Sequence, residues 1–410
     1  MLDTHLATHF CQRSASIEAW FAAAFQRTLP PVYGSVDLRY AGFKIAPIDM
    51  NLFPAGFNNL NRDHLLQSIT ASRKSLLHHV PHLKNILLIP ESHTRNSFYW
   101  RNIKVLCHIL EKSNFTVRLG ALPDATELVP HVTVSGDETM PVQLIQRENN
   151  QLKLADFVPD AILLNNDLAA GVPPILKGIT QPILPPVQLG WGERFKSTHF
   201  EVYQQVASLF AKEVELDPWF ISPLFTYCEP VDFMQQAGMD DLIERARVLL
   251  EAIKKKYEEY KIQQQPFLII KADQGTYGMA VMTVRDLDSL KQLNRKKRTQ
   301  MSTTKGSRPV NRVIIQEGIY TFETIGTFEA VAEPVVYLFG EQVVGGFYRV
   351  HQARGVDENL NSPGMQFEPL PFSPSCADEA RVYLYGVIAR LSMLAAAQEV
   401  AALSAGEKSL

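Results

Sequence analysis

The stretch Phe267-Leu268-Ile269-Ile270-Lys271-Ala272-Asp273-Gln274-Gly275-Thr276-Tyr277-Gly278-Met279-Ala280-Val281 sets the reading of the rest of the chain. An apolar run suited to a buried strand ends in a lysine, two glycines bracket a hydroxyl-bearing tip, and a second apolar run returns. Glycines let backbone N–H groups approach phosphate oxygens closely, and the lysine adds positive charge at the strand end. The pattern is not that of a P-loop, and the element after the glycines reads as strand rather than helix, which also excludes the dinucleotide-binding fingerprint. Taken alone, such a tip serves a plain turn as well as a phosphate cradle.

Two more stretches follow it. Val313-Ile314-Ile315-Gln316-Glu317-Gly318-Ile319 is an apolar strand whose polar end can offer backbone groups to a purine edge and a carboxylate to a ribose hydroxyl. A strand end with a polar bend is the plainer reading. Gly345-Gly346-Phe347-Tyr348-Arg349-Val350 precedes Asp357-Glu358-Asn359-Leu360-Asn361-Ser362-Pro363-Gly364. Oxygen ligands from Glu and Asn suit Mg²⁺, and Arg349 can balance charge on a transferring phosphoryl group. Asn, Ser, Pro and Gly are equally turn formers.

Upstream, apolar residues at helical spacing from Ser14 to Arg27 stop at Pro30-Pro31, and residues 34–61 suggest a short strand feeding a long ordered loop. Asn85–Pro90 reads as a buried strand, followed by a helix over 98–112 and strands over 116–119 and 161–164. That alternation marks a parallel α/β sheet, which binds ligands at its carboxyl strand ends, here Glu91–Asn96 and Asn165–Asp167. A hairpin is expected over 137–154. The strand pattern lapses between 188 and 229, where an inter-domain connection is expected, and 240–260 is a helix with a solvated charged face. The basic stretch 294–307 has the look of a mobile segment.

The whole chain of 410 residues, 46% hydrophobic and 20% charged, excludes disorder and fibrous repeats and allows two or three domains, with three the better count. A net charge of −3 provides no field to attract nucleic acid or an anionic membrane. The four cysteines, Cys11, Cys107, Cys228 and Cys376, contain no CxxC pair, which argues against zinc and against a dense disulfide framework. Cys107, Cys228 and Cys376 are expected in the core and the protein in a reducing cytoplasm. The apolar stretch 382–403 is broken by Arg390 and Glu399.

The order lysine strand with glycine-rich hairpin, strand ending Gln-Glu-Gly-Ile, then arginine strand with a Glu/Asn cluster resembles the ATP-grasp superfamily, as in glutathione synthetases and D-alanine ligases. Within it the chain most resembles the proteobacterial type of glutamate–cysteine ligase, through residues 37–49, Asn51-Leu52-Phe53-Pro54-Ala55-Gly56-Phe57-Asn58-Asn59 and Arg194-Phe195-Lys196-Ser197-Thr198-His199-Phe200. The fold this implies combines α/β and α+β parts. An N-terminal parallel α/β domain (1–188), like those that precede ATP-grasp modules, leads to a helical linker or first ATP-grasp part (189–262), then the nucleotide-binding and catalytic part (263–410).

Carried over residue by residue, the resemblance implies Lys271 and Lys196 on the ATP phosphates under a lid of Gly275, Thr276, Tyr277 and Gly278. Gln316, Glu317, Gly318 and Ile319 would hold adenine and ribose. Arg349 would act with Lys271 in catalysis at the γ-phosphate, and Glu358, Asn359 and Asn361 would hold Mg²⁺. The superfamily's usual acidic strand followed by Glu-x-Asn is missing after Asn361, which leaves Glu329, Glu333 and Glu341 as further candidates.

By residue type and loop position, Arg39, Lys44 and Arg95 are candidates for substrate carboxylates, Asp49 for an ammonium, and Asn51, Asn58 and Asn59 for neutral partners; each serves a structural pair equally well. The expected reaction joins the glutamate side-chain carboxylate to cysteine through an acyl phosphate, with glutamate, cysteine and ATP as partners and neither nucleic acid nor membrane. Another ATP-grasp carboxylate–amine ligase and a nucleotide-binding protein without turnover remain open, as does assembly into a homo-oligomer.

Overall fold

The computed structural model describes residues 5–92, 96–123, 131–275, 278–304, 308–327, 329–371, 376 and 379–407. In chain order the elements are α1 (His5–Gln12), α2 (Ser14–Arg27), β1 (Tyr33–Tyr40), β2 (Ile45–Asn51), α3 (Leu65–His79), β3 (Asn85–Pro90), α4 (Ser97–Lys112) and β4 (Thr116–Ala121). Short strands follow: β5 (His131–Ser135), β6 (Glu138–Pro141), β7 (Gln143–Leu144), β8 (Gln146–Glu148) and β9 (Gln151–Lys153). Next come β10 (Ala161–Asn165), β11 (Ile183–Leu184), α5 (Lys196–Glu213), β12 (Phe225–Cys228), α6 (Met239–Glu259), β13 (Leu268–Ala272) and β14 (Val281–Val284). The chain continues through α7 (Asp288–Lys291), α8 (Arg295–Ser302), β15 (Val313–Glu317), β16 (Glu323–Ile325), β17 (Ala330–Phe339), β18 (Gln342–His351), β19 (Gln366–Pro369) and α9 (Ala380–Glu407).

β3 and β10 are apolar without alternation because both faces of their sheet are covered. Leu87, Ile89, Ile162 and Leu164 enter one core, while Ile86, Leu88, Ala161 and Leu163 enter another. They form the centre of the order β11-β10-β3-β4-β7, whose paired strands run parallel. A second sheet, antiparallel, has the order β19-β18-β17-β1-β2 with β16 on β17. A third, also antiparallel, has the order β12-β15-β13-β14 and packs with α6 around a third core. The fold is thus mixed α/β.

Several expectations need correction. Residues 34–61 hold two long strands: β1 and β2 pair antiparallel through Tyr40↔Ile45, and β1 also pairs with β17. One antiparallel sheet therefore draws strands from both the 1–188 and the 263–410 stretch. Residues 137–154 belong to two hairpins, β5–β6 and β8–β9. The basic stretch is partly the helix α8, whose start is capped by Asn294 accepting from the Lys297 N–H at 2.9 Å. Cys376 is joined to Cys11 by a disulfide with the Cα atoms 5.5 Å apart, whereas Cys107 and Cys228 are buried free thiols.

Helix α9 includes a stretch, Ala380–Leu403, long and apolar enough to cross a membrane by composition, but 67% of it is buried within the protein. It packs against α1, α5, β1, β2 and β17. Its Glu399 is 6% exposed and accepts from Arg194 Nε and Nη2, both at 2.9 Å.

Candidate functional site

Strand alternation brings the chemistry together. Asp37 and Asp49 are direct partners across β1–β2, and β1 places Arg39 on the same face as Asp37. β13 contributes Lys271, β18 Arg349, and the first turn of α5 Lys196. Two cavities meet there. The first lies between the two antiparallel sheets and has apolar walls from Ile48, Ile269, Val281 and Ile319. The second, of about 210 Å³, reaches to Glu91, Asn165 and Asp167 at the carboxyl ends of the parallel sheet. Both are lined by Asp37, Asp49, Gly278, Arg349 and Asn361, which form the waist between them.

The charges at the waist are closely coupled. Lys196 Nζ donates to both Asp49 oxygens, at 2.7 and 2.8 Å, and lies 3.8 Å over the Trp191 ring. Burial pushes the Asp49 carboxyl up, but Lys196 and Lys271 outweigh it and hold the group at about 2. Lys271 Nζ donates to the Ile48 carbonyl, and burial, opposed by Asp49, brings its ammonium down to about 8. Arg349 Nη1 donates to Asp37 at 2.9 Å and to Glu333, which also accepts from Arg39 Nε at 3.0 Å. Burial raises the Asp37 carboxyl against the pull of Arg349. Among the described residues Arg349 Nε and Gln316 Nε2 are buried donors without a partner, and both side chains line the first cavity. A buried donor lacking an acceptor is costly, so a ligand oxygen or nitrogen there would be favourable.

Of the residues singled out from the sequence, Arg39, Asp49, Lys271, Gly278, Gln316, Glu317, Ile319, Arg349, Asn359 and Asn361 all line the first cavity. Lys196 joins them through Asp49, and Gly275 lines an adjoining cavity. Gly275 and Gly278 have φ of +102° and +64°, which favours glycine at both ends of the hairpin tip. Thr276, Tyr277 and Arg95 lie outside the described residues.

Other placements differ from expectation. Lys44 is 1% exposed, donates to Glu317 at 2.7 Å and lies 4.1 Å over Trp219, so it does not face a substrate. Glu317 also accepts from Trp219 Nε1 at 3.1 Å and the Leu224 N–H at 2.9 Å; its carboxylate is engaged within the protein rather than open to a ribose. Gly318 lies against Phe267, whose ring a Cβ would meet at 2.2 Å. Asn58 donates to Asn59 at 3.0 Å, and it is Asn59 that lines the second cavity. Asn51 also lines it, with its amide closed onto the Phe53 backbone. Arg39 is held by Glu333 and by the carbonyls of Ile319 and Glu358.

The Glu358 carboxylate accepts from the Gly355 N–H at 2.8 Å on its own loop and lines neither cavity. Of the further acidic candidates, Glu341 pairs with Lys74 and Glu329 sits in an exposed turn, whereas Glu333 is in the cleft. No group of three or more His, Cys, Asp and Glu side chains arranged to hold a metal occurs among the described residues. Asp37 and Asp49 nevertheless line both cavities with Asn361, and carboxylate and amide oxygens are the donors that Mg²⁺ takes. Asp37 and Trp191 were not singled out beforehand; the spacing Asp37-x-Arg39 beside Asp49-x-Asn51 was the available signal.

A larger concavity, about 810 Å³, lies elsewhere, between α2, α3 and α9. Its Arg390 is bound by Glu18 at 2.7 Å, and the convergent cations of the cleft are not repeated there.

A family model described as glutamate-cysteine ligase matches residues 7–400. Among solved structures the chain is similar to a Methylobacillus flagellatus KT protein described as "Putative gamma-glutamylcysteine synthetase", with 45% identity, TM-score 0.89 and 98% of each chain covered. A glutathione synthetase-like effector from Globodera pallida aligns at 12% identity and TM-score 0.41, over 88% of this chain and 79% of that one. D-alanyl-alanine synthetase A from Vibrio cholerae aligns at 11% and 0.33, over 75% and 81%. Likenesses at those two levels carry no argument. No curated protein matches.

Proposed function

The chain belongs to the glutamate–cysteine ligase family, and from that premise we propose that it forms γ-glutamylcysteine from L-glutamate and L-cysteine, converting ATP to ADP and phosphate. The observation that supports this reading is the meeting of two cavities at a waist bearing Arg349, Asp37 and Asp49, with Lys271 and Lys196 beside it. One cavity would take the nucleotide and the other the amino acids, in an ATP-grasp arrangement. Ile48, Ile269 and Ile319 offer apolar walls to an adenine, and Gln316 Nε2 offers it a donor. Lys271, Lys196 and Arg349 would face the phosphates, with Gly278 permitting close approach.

A carboxylate is a poor acylating agent. Transfer of the γ-phosphoryl group to the glutamate side-chain carboxylate gives an acyl phosphate, whose carbonyl carbon the cysteine amine attacks as phosphate leaves. The protein's share is to position the reactants and stabilise negative charge. Mg²⁺, when bound, supplies charge neutralisation at the phosphates. Asp37 and Asp49, with Asn359 and Asn361 of the expected set, have the donor chemistry to hold it, whereas the Glu358 carboxylate lines neither cavity. Because Asp49 titrates at about 2, it would be ionised at any pH where the ligase works.

Measurement of ADP release against a panel of amino-acid pairs tests the reading. Release is expected only when glutamate and cysteine are both present. Dependence on a different pair, or ATP binding without acceptor-dependent release, would overturn it.

A further inference from the structure

A third cavity, of about 180 Å³, adjoins the cleft on the other side of Trp191, which lines both this cavity and the 210 Å³ one. Gln274, Thr304, Asn311 and two arginines contribute its polar wall, and the residues that line it include no carboxylate. The two arginines differ in what they have left to offer. Arg312 is engaged by Asp273 at 2.6 Å, Glu229 at 3.0 Å and Ser197 Oγ at 2.9 Å. Arg308 is anchored through one nitrogen, Nη1, which donates to the carbonyls of Ala169 at 2.9 Å and Gly192 at 3.2 Å. A Cβ on residue 192 would lie 2.9 Å from that nitrogen, so glycine is what admits the guanidinium.

A guanidinium carries five N–H donors in a planar fork. Those on Nε and Nη2 of Arg308 have no hydrogen-bond partner among the described residues, and the charge has no carboxylate against it within the cavity. Trp191, 2% exposed, has an indole N–H that likewise lacks an acceptor among the described residues. Arg308 is partly buried, so its remaining donors meet solvent in the free protein; with the buried, unpartnered Trp191 N–H and no carboxylate in the lining, they suit a small anion with oxygen acceptors, which a planar carboxylate matches through paired hydrogen bonds. Lys196 lies on the Trp191 ring while bound to Asp49, so this wall is one side chain away from the waist.

We propose that this cavity is the subsite for the α-carboxylate of the acceptor amino acid, with Arg308 as the residue that recognises it. The proposal rests on the ligase reading above. An α-amino acid carries its amine one carbon away from the carboxyl carbon. A carboxylate held beside Trp191 therefore keeps the amine within one carbon of it, in reach of the space that Trp191 shares with the cleft.

The test compares two acceptors, cysteine and cysteamine, which is cysteine without its carboxylate, in the full chain and in Arg308→Ala. With cysteine the variant should raise KM by about tenfold or more, while KM for glutamate and ATP stays within about twofold. With cysteamine the two proteins should behave alike, because the group that Arg308 holds is missing. Arg308→Lys should recover part of the loss. An unchanged KM for cysteine overturns the subsite, as does a parallel fall with cysteamine, which marks a general structural defect. A rise confined to ATP overturns it in favour of a phosphate contact. Wild-type ADP release that does not need glutamate and cysteine fails the ligase reading itself, whereas release that needs both, with cysteine KM unmoved in R308A, fails only the subsite.

Discussion

Lys271 shows how much one buried side chain's position can be inferred from its neighbours in the chain. A lysine closing an apolar strand before a glycine-bracketed tip has few places to go except the strand's end, and it does line the first cavity. What could not be inferred is its titration, which depends on burial and on Asp49, a residue from the opposite end of the chain. Burial lowers the ammonium to about 8, so the free protein loses this charge as pH rises through that value. If the phosphates of ATP need the charged form, affinity for ATP should weaken as pH climbs past about 8, and binding there should take up a proton. Lys271→Met should weaken ATP binding by about tenfold or more at neutral pH and abolish that alkaline limb. Calorimetric titrations in buffers of different ionisation enthalpy check both; a retained limb in the variant assigns the proton elsewhere. Lys44 illustrates the opposite case. Its pairing with Glu317, 273 positions away, leaves no local trace.

At the scale of elements, the strands with uniform apolar character were legible and the mixed ones were not. Asn85–Pro90 announced itself because both its faces are covered. β1, β2 and the turn between them carry Asp37, Arg39, Lys44 and Asp49 among prolines and glycines, and such composition suggests a loop until partners satisfy those charges. Helix α9 is joined to this region by Glu399, which holds Arg194; Arg194 in turn donates to the Met50 carbonyl at 2.9 Å, next to Asp49. His199 Nδ1 also meets Glu399. Burial pushes the Glu399 carboxyl up, but Arg194 and His199 outweigh it and hold the group at about 2. A carboxyl depressed in the folded state contributes stability that is complete above its unfolded value, about 4.3, and is lost as pH falls towards 2. Glu399→Gln should therefore cost roughly 3 kcal/mol near neutrality, by leaving Arg194 buried without its counter-ion. It should also flatten the loss of stability below pH about 4. Urea unfolding of both proteins across that range measures it, and equal acid slopes would remove Glu399 from the account.

At the scale of the whole molecule, the chain's two ends are fastened together. β1 pairs with β17, α1 packs on α9, and Cys11 is bonded to Cys376 across 365 residues. A bond of this kind stabilises by restricting the unfolded chain, typically by about 2–4 kcal/mol. Adding a thiol reductant should lower the thermal midpoint of the wild-type protein and leave Cys11→Ser unmoved; an identical shift in both would show that the reductant acts elsewhere. The sequence by itself determined the parallel sheet, the glycine-rich hairpin with Lys271 and the strand of Arg349, because these rest on periodicity and on residues close together in the chain, and its motif stretches carried the resemblance to the family. Only the tertiary structure decided that Asp37 and Asp49 meet Arg349 and Lys196, that Lys44 and Glu317 neutralise each other, and that Glu358 stays on its own loop. It alone set Arg308 beside Trp191. Burial and charge pairing are properties of neighbours in space, and here those neighbours come from segments far apart in the chain, some of them on a sheet that closes the N-terminal segment onto the C-terminal one.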